Sequence, residues 1–153
     1  MLGFLPGEGI PSTAPMNPSE VLLVEDNAGD ALLVGQALAE CPVPVHLHIA
    51  RDGEQALQIL AEADFKPDLI ILDLNIPKMS GYAVLALYHP KEKPPVVVFT
   101  ASQNEADADR AFSLGVREFV HKPMDLDDYK TAVSGMVQKW AGHDSSGVET
   151  KPS

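Results

Sequence analysis

Residues 69–73 read Leu-Ile-Ile-Leu-Asp, four apolar side chains ended by a carboxylate. The run is too short for a buried helix and has no polar alternation, the pattern of a strand covered on both faces. Two other stretches share its character. Val21-Leu22-Leu23-Val24 leads into Glu25-Asp26, and Pro95-Val96-Val97-Val98-Phe99 leads into Thr100. Two more polar strands are expected at 45–50, with His46 and His48, and at 118–121, preceded by Arg117 and followed by Lys122. Between them lie segments of helical period. Residues 30–41 carry Leu33, Val34, Ala37, Leu38 and Cys41 at helical spacing, stopped by Pro42 and Pro44. Residues 52–62, 80–88 (capped by Ser80), 105–114 (closed by Gly115) and 125–140 supply four more helices. The last places Leu126, Tyr129, Val133, Met136, Val137 and Trp140 on one face. Five strands alternating with five helices imply a (βα)5 α/β domain, a parallel sheet with helices on both faces. The continuously apolar strands belong inside and the polar ones at the edges. Right-handed crossovers then give the flavodoxin-like order 2-1-3-4-5.

The chain of 153 residues fits one such domain, expected over 19–142. Four prolines and three glycines within 1–18 forbid regular structure there, so a disordered N-terminal tail is expected; 143–153 reads as a flexible C-terminal tail. With 22 acidic against 11 scattered basic residues the net charge is −11, which argues against a nucleic-acid backbone as partner. No apolar run approaches the ~18–20 residues that span a bilayer, and residues 1–15 lack the basic start of a signal peptide. A single cysteine, Cys41, allows no internal disulfide and fits the cytoplasm.

The residues just past the strand ends carry the chemistry. Glu25 and Asp26 follow strand one, Asp73 strand three, Thr100 strand four and Lys122 strand five, all on one rim. Three carboxylates at close range repel unless a cation holds them, and a hard divalent ion such as Mg2+ takes oxygen ligands. A hydroxyl and an ammonium beside them would hold the other oxygens of a phosphoryl group. Acidic residues at strand ends also cap helices, and Asp30 and Asp52 are read as caps only.

Those residues sit in four motifs, VLLVEDN, LIILDLNIPKMSG, VVVFTAS and FVHKP, which together resemble the response-regulator receiver domain of two-component signalling. The resemblance spans 19–142. It implies that Asp73 accepts a phosphoryl group from a phosphohistidine on a sensor histidine kinase. It implies that Glu25, Asp26 and Asp73, with the backbone carbonyl of Asn75, hold Mg2+, and that Thr100 and Lys122 bind the phosphoryl oxygens. A cis Lys122-Pro123 bond and a switch formed by Thr100 and Phe119 are implied too. Output would pass through the face of helix four, strand five and helix five. With no output domain following, that face would contact another chain, a second copy of itself among the candidates. The segments VEDNAGDALLVGQAL, HLHIARDGEQAL and DLDDY are most similar to regulators of phytochrome-type light-sensing kinases. Phe119 lacks the hydroxyl of a tyrosine switch, and the connection at 88–95 is short and proline-rich.

Rival readings are a protein-binding module that has lost phosphorylation, a haloacid-dehalogenase-like phosphatase and an FMN carrier. The complete rim argues against the first, and Asn75, where the phosphatase places a second Asp, against the second. No phosphate loop follows strand one, against the third. The chain is expected to promote only its own phosphorylation and dephosphorylation. His46 and His48 face one side of strand two; with Cys41 they would be a zinc fragment lacking further ligands, and polar residues on an edge strand are the simpler reading. Trp140, at the last turn of its helix, is a candidate contact residue.

Overall fold

The computed structural model describes residues 17–142. The tails expected at 1–18 and 143–153 therefore lie, apart from Asn17 and Pro18, outside the described residues. Along the chain run β1 (Ser19–Val24), α1 (Ala28–Ala39), β2 (Val45–Ala50), α2 (Gly53–Leu60), β3 (Leu69–Leu72), α3 (Gly81–Leu87), β4 (Val96–Thr100), α4 (Glu105–Ser113), β5 (Glu118–His121) and α5 (Leu126–Trp140). The strands form one parallel sheet of order β2-β1-β3-β4-β5. The apolar runs of β1, β3 and β4 are buried throughout, whereas β2 and β5 are only partly covered. Edge and centre are thus distributed as their side chains require.

Strand alternation sends side chains to two cores. Val21, Leu23, Ile71, Val97 and Phe99 face α1 and α5 and meet Val34, Val133 and Val137. Leu22, Val24, Ile70, Leu72 and Val98 face the opposite way and meet Ala56, Val84, Leu85 and Ala111 of α2, α3 and α4.

Helix ends follow local chemistry with small corrections. Asp52, Ser80 and Asp125 cap α2, α3 and α5, each accepting from the backbone N–H three residues on. Helix α1 starts earlier than its apolar period suggests because Asn27 caps it, at 2.9 Å from the Asp30 N–H. Cys41 lies past the C-cap Glu40, not within the helix. Gly115 has φ 95°, the left-handed conformation that ends α4 without a Cβ clash. No helix among the described residues is long and apolar enough to cross a membrane.

Candidate functional site

The strand ends are tied laterally, which fixes the position of the residues just beyond them. The Glu25 N–H donates to Ala50 at 2.9 Å, Asp73 N–H to Val24 at 3.0 Å and Lys122 N–H to Thr100 at 2.8 Å. Gly81 fixes the depth of the segment after β3. Its N–H donates to the Leu74 carbonyl at 3.1 Å, and a Cβ there would stand 2.9 Å from Asp73 O and Leu74 Cα. Only glycine lets the start of α3 lie this close.

On that frame Glu25, Asp26 and Asp73 bring one carboxylate oxygen each within 4.8 Å of one another. Glu25 and Asp73 are 2% and 7% exposed, whereas Asp26 is exposed and leaves one side open to water. Lys122 enters from β5. Its Nζ lies 2.6 Å from Glu25 Oε1, 3.1 Å from Asp73 Oδ2 and 3.1 Å from Asp30 Oδ2. Burial raises the Glu25 carboxyl to about 7; the Lys122 hydrogen bond opposes this, and the Asp73 charge reinforces it. Burial also disfavours charge on Lys122. The Glu25 hydrogen bond and the Asp73 and Glu25 charges outweigh it, so the lysine pKa lies above its ordinary value. One ammonium therefore serves three carboxylates, with a fourth nearby. An all-oxygen set of this kind suits a hard divalent cation.

The remaining expected residues have definite places. The Asp73 Oδ1 accepts the Asn75 N–H at 3.2 Å, and Asn75 is exposed. Thr100 is fully buried, and its hydroxyl accepts the Ser102 N–H at 3.3 Å. Ser102 Oγ donates to Asp107 at 2.5 Å, and Asp107 also accepts from the Tyr82 hydroxyl of α3. The loop after β4 is thus laced to α3. Phe119 is half-buried against the core on the α4 side, its ring 5.6 Å from that of His121.

Two expectations are corrected. The Lys122–Pro123 bond is trans, since no peptide bond among the described residues is cis. Trans is the intrinsically favoured isomer by ~0.5–1 kcal/mol, and Lys122 reaches its three partners with it. Asp30 is not a cap; Asn27 takes that role. The Asp30 carboxylate instead bridges Lys122 and the Tyr129 hydroxyl, which donates to Oδ1 at 2.7 Å. Tyr129 is 4% exposed on α5, and its ring meets Phe99 edge-on at 5.0 Å. Burial, then the Asp30 hydrogen bond and charge, hold its phenol above the ordinary pKa, so it remains a neutral donor. Neither residue is legible in the sequence as part of the site: the contact joins positions 99 apart on two helices. Cys41, by contrast, stands apart from His46 and His48, as the simpler reading of the edge strand has it. It packs on the α1/α5 side and accepts from Ser134 at 3.4 Å. Trp140 is half-buried, and its indole N–H donates to Glu118 at 2.8 Å.

Comparison with known proteins gives the family. The family model for the response regulator receiver domain matches residues 21–134. The response regulator Rcp1 of Synechocystis sp. is 38% identical over 133 residues, covering 80% of this chain and 89% of that protein. The crystal structure of Mn2+-bound Rcp1 superposes with a TM-score of 0.75 at 36% identity, covering 89% of this chain and all of that one. That of the phosphorylated cyanobacterial phytochrome response regulator RcpA gives 0.78 at 35% identity, covering 90% of this chain and 100% of that one. With its five-stranded parallel sheet and an acidic rim gathered around one lysine, the chain belongs to the response regulator receiver domain family.

Proposed function

We propose that this receiver domain takes a phosphoryl group on Asp73 from a sensor histidine kinase, with Mg2+ as the metal. The observation that carries the reading is Lys122 Nζ at 3.1 Å from Asp73 Oδ2, beside the Glu25–Asp26–Asp73 carboxylates. An Asp73 oxygen attacks phosphorus, the N–P bond of the phosphohistidine breaks, and its electron pair stays on the imidazole. Glu25, Asp26, Asp73 and the Asn75 carbonyl would hold the metal, which would supply charge neutralisation for the carboxylates and the phosphoryl group. Lys122 and the Thr100 hydroxyl take the remaining phosphoryl oxygens. Thr100 reaches the phosphoryl group by releasing the Ser102 N–H, and Phe119 fills the space vacated behind β4. The face of α4, β5 and α5 then changes shape for a protein partner. The chain turns over no substrate besides its own phosphoryl group.

A phytochrome-type kinase is the partner class proposed, supported by Rcp1 and RcpA among the relatives. The folded unit is 19–142, and its place of work is the cytoplasm. Incubation with acetyl phosphate and Mg2+, read by intact mass, tests the acceptor. An adduct of about 80 Da, one PO3H, is expected on the wild type and absent from Asp73→Asn. An adduct that survives in Asp73→Asn refutes the assignment.

A further inference from the structure

We propose that Glu20, His46 and His48 form a second cation site, for a divalent transition-metal ion of the zinc class, at the rim opposite Asp73. Glu20 pairs with His46 in the parallel register of β1 and β2, and His48 lies two residues further on. Period-two alternation puts all three side chains on the face covered by α2 and α3. One oxygen of Glu20 meets both rings. Glu20 Oε1 is 2.6 Å from His48 Nε2 and 3.2 Å from His46 Nδ1, and the two rings are 4.6 Å apart between centroids. One donor atom from each residue falls within 4.8 Å of the other two. Bonds of ~2.0–2.1 Å to a tetrahedral zinc put its ligands about 3.3 Å apart, so small side-chain adjustments suffice.

Two imidazoles and one carboxylate are the donor set of an open zinc site, with water in the fourth position. Imidazole nitrogen selects this class over Mg2+, which prefers oxygen throughout. The site is accessible yet partly organised. The His46 side chain is 62% exposed, while His48 and Glu20 are 30% and 33% exposed. The Phe65 ring stands edge-on to His48 at 4.7 Å, and the Glu20 N–H donates to Asp68 at 2.7 Å. Glu20 and Glu25 are five steps apart along the extended chain, roughly 16 Å at ~3.3 Å per residue, so the two sites cannot share an ion.

The test is calorimetric titration of the full chain with ZnCl2 in millimolar Mg2+, which competes for the Asp73 rim. One saturable Zn2+ per chain is expected. His46→Gln, His48→Gln and Glu20→Gln should each weaken it at least about tenfold, since loss of even an outer-shell partner costs ~10–100-fold. Asp26→Asn should leave it unchanged. His46→Gln is the decisive variant, because its exposed side chain can change without disturbing the fold; circular dichroism checks each variant. Co2+ in place of zinc should give the visible bands of a tetrahedral nitrogen–oxygen field in the wild type, and these should vanish in His46→Gln. No saturable binding overturns the proposal and leaves the three residues as a hydrogen-bonded brace on the edge strand. Binding lost in Asp26→Asn but kept in the histidine variants also overturns it, by placing zinc at the Asp73 rim.

Discussion

Lys122→Met removes a charge from the centre of the rim while keeping most of the side chain's length. The lysine side chain is 9% exposed, and those of Glu25 and Asp73 are 3% and 9% exposed. At ~3 Å and an effective dielectric of ~20, each ammonium–carboxylate pair is worth about 5 kcal/mol of attraction before desolvation is charged against it. Most of that gain is cancelled in the intact protein by the cost of burying the charges. The variant keeps the cost for Glu25 and Asp73 and loses the attraction. Breaking a buried pair by removing one partner costs roughly 3–5 kcal/mol. That is the upper bound of the loss expected in urea unfolding at pH about 8 with EDTA present, where Glu25 is mostly ionised in the wild type; without the ammonium its carboxyl rises further and protonation returns part of the loss. Mg2+ should narrow the gap, because a cation returns to the same cluster. At ~100 times its dissociation constant it contributes about 2.7 kcal/mol, and the gap narrows because the more negative variant should bind it more tightly than the wild type does. A loss under ~1 kcal/mol, or a gap indifferent to Mg2+, would show that Lys122 does not neutralise the rim.

Glu25→Gln tests the raised carboxyl at the same rim. Because its folded pKa of about 7 lies above the ordinary 4.5, wild-type stability relative to the variant is full below 4.5 and is lost as pH rises through 7. In EDTA the difference should amount to about 3 kcal/mol at ~1.4 kcal/mol per pH unit, and a flat difference across that window would contradict the assignment. Gly81→Ala should cost ~1–3 kcal/mol by overpacking against the Asp73 and Leu74 backbone and should slow labelling by acetyl phosphate; thermal unfolding and intact mass read the two effects. Lys78 holds φ 67° without being glycine, so Lys78→Gly should raise stability by roughly 1 kcal/mol. Its ion pair with Asp52, 3.5 Å long with the lysine 60% exposed, is too solvated to offset that gain, and a drop in melting temperature would contradict this.

The parts of the molecule legible in the sequence are those governed by local pattern. The runs at 21–24, 69–72 and 96–99 announce buried strands, and their side chains are at most 2% exposed. His46, His48, Arg117 and Glu118 mark the edges. The rim residues can be located because chain order alone puts every strand end of a parallel sheet on one side. The features that escape a sequence reading depend on register or on contacts between distant helices. Asp30 resembles a cap because a carboxylate near a helix start usually is one; its partners arrive from β5 and α5. Glu20 gives no sign of serving two histidines, since its neighbour across the sheet is set by pairing between strands some 26 residues apart. The trans Lys122–Pro123 bond is not legible either, because isomer choice at proline lies within ~1 kcal/mol.

The bridge from Tyr129 through Asp30 to Lys122 bears on how the ammonium behaves during a reaction cycle. A side chain anchored by Asp73 alone would swing free once that oxygen was esterified, and would have to be recaptured before hydrolysis. Here Glu25 and Asp30 keep hold of it from two other directions, and the Tyr129 hydroxyl keeps Asp30 in place. Two of the three contacts that hold the lysine head thus do not depend on Asp73, so under the proposed function esterification of Asp73 would spend little reorganisation energy on it. Because Tyr129 belongs to α5, a shift of that helix would loosen the lysine, so under the proposed function a partner docked on α5 would have a mechanical handle on the lifetime of the ester.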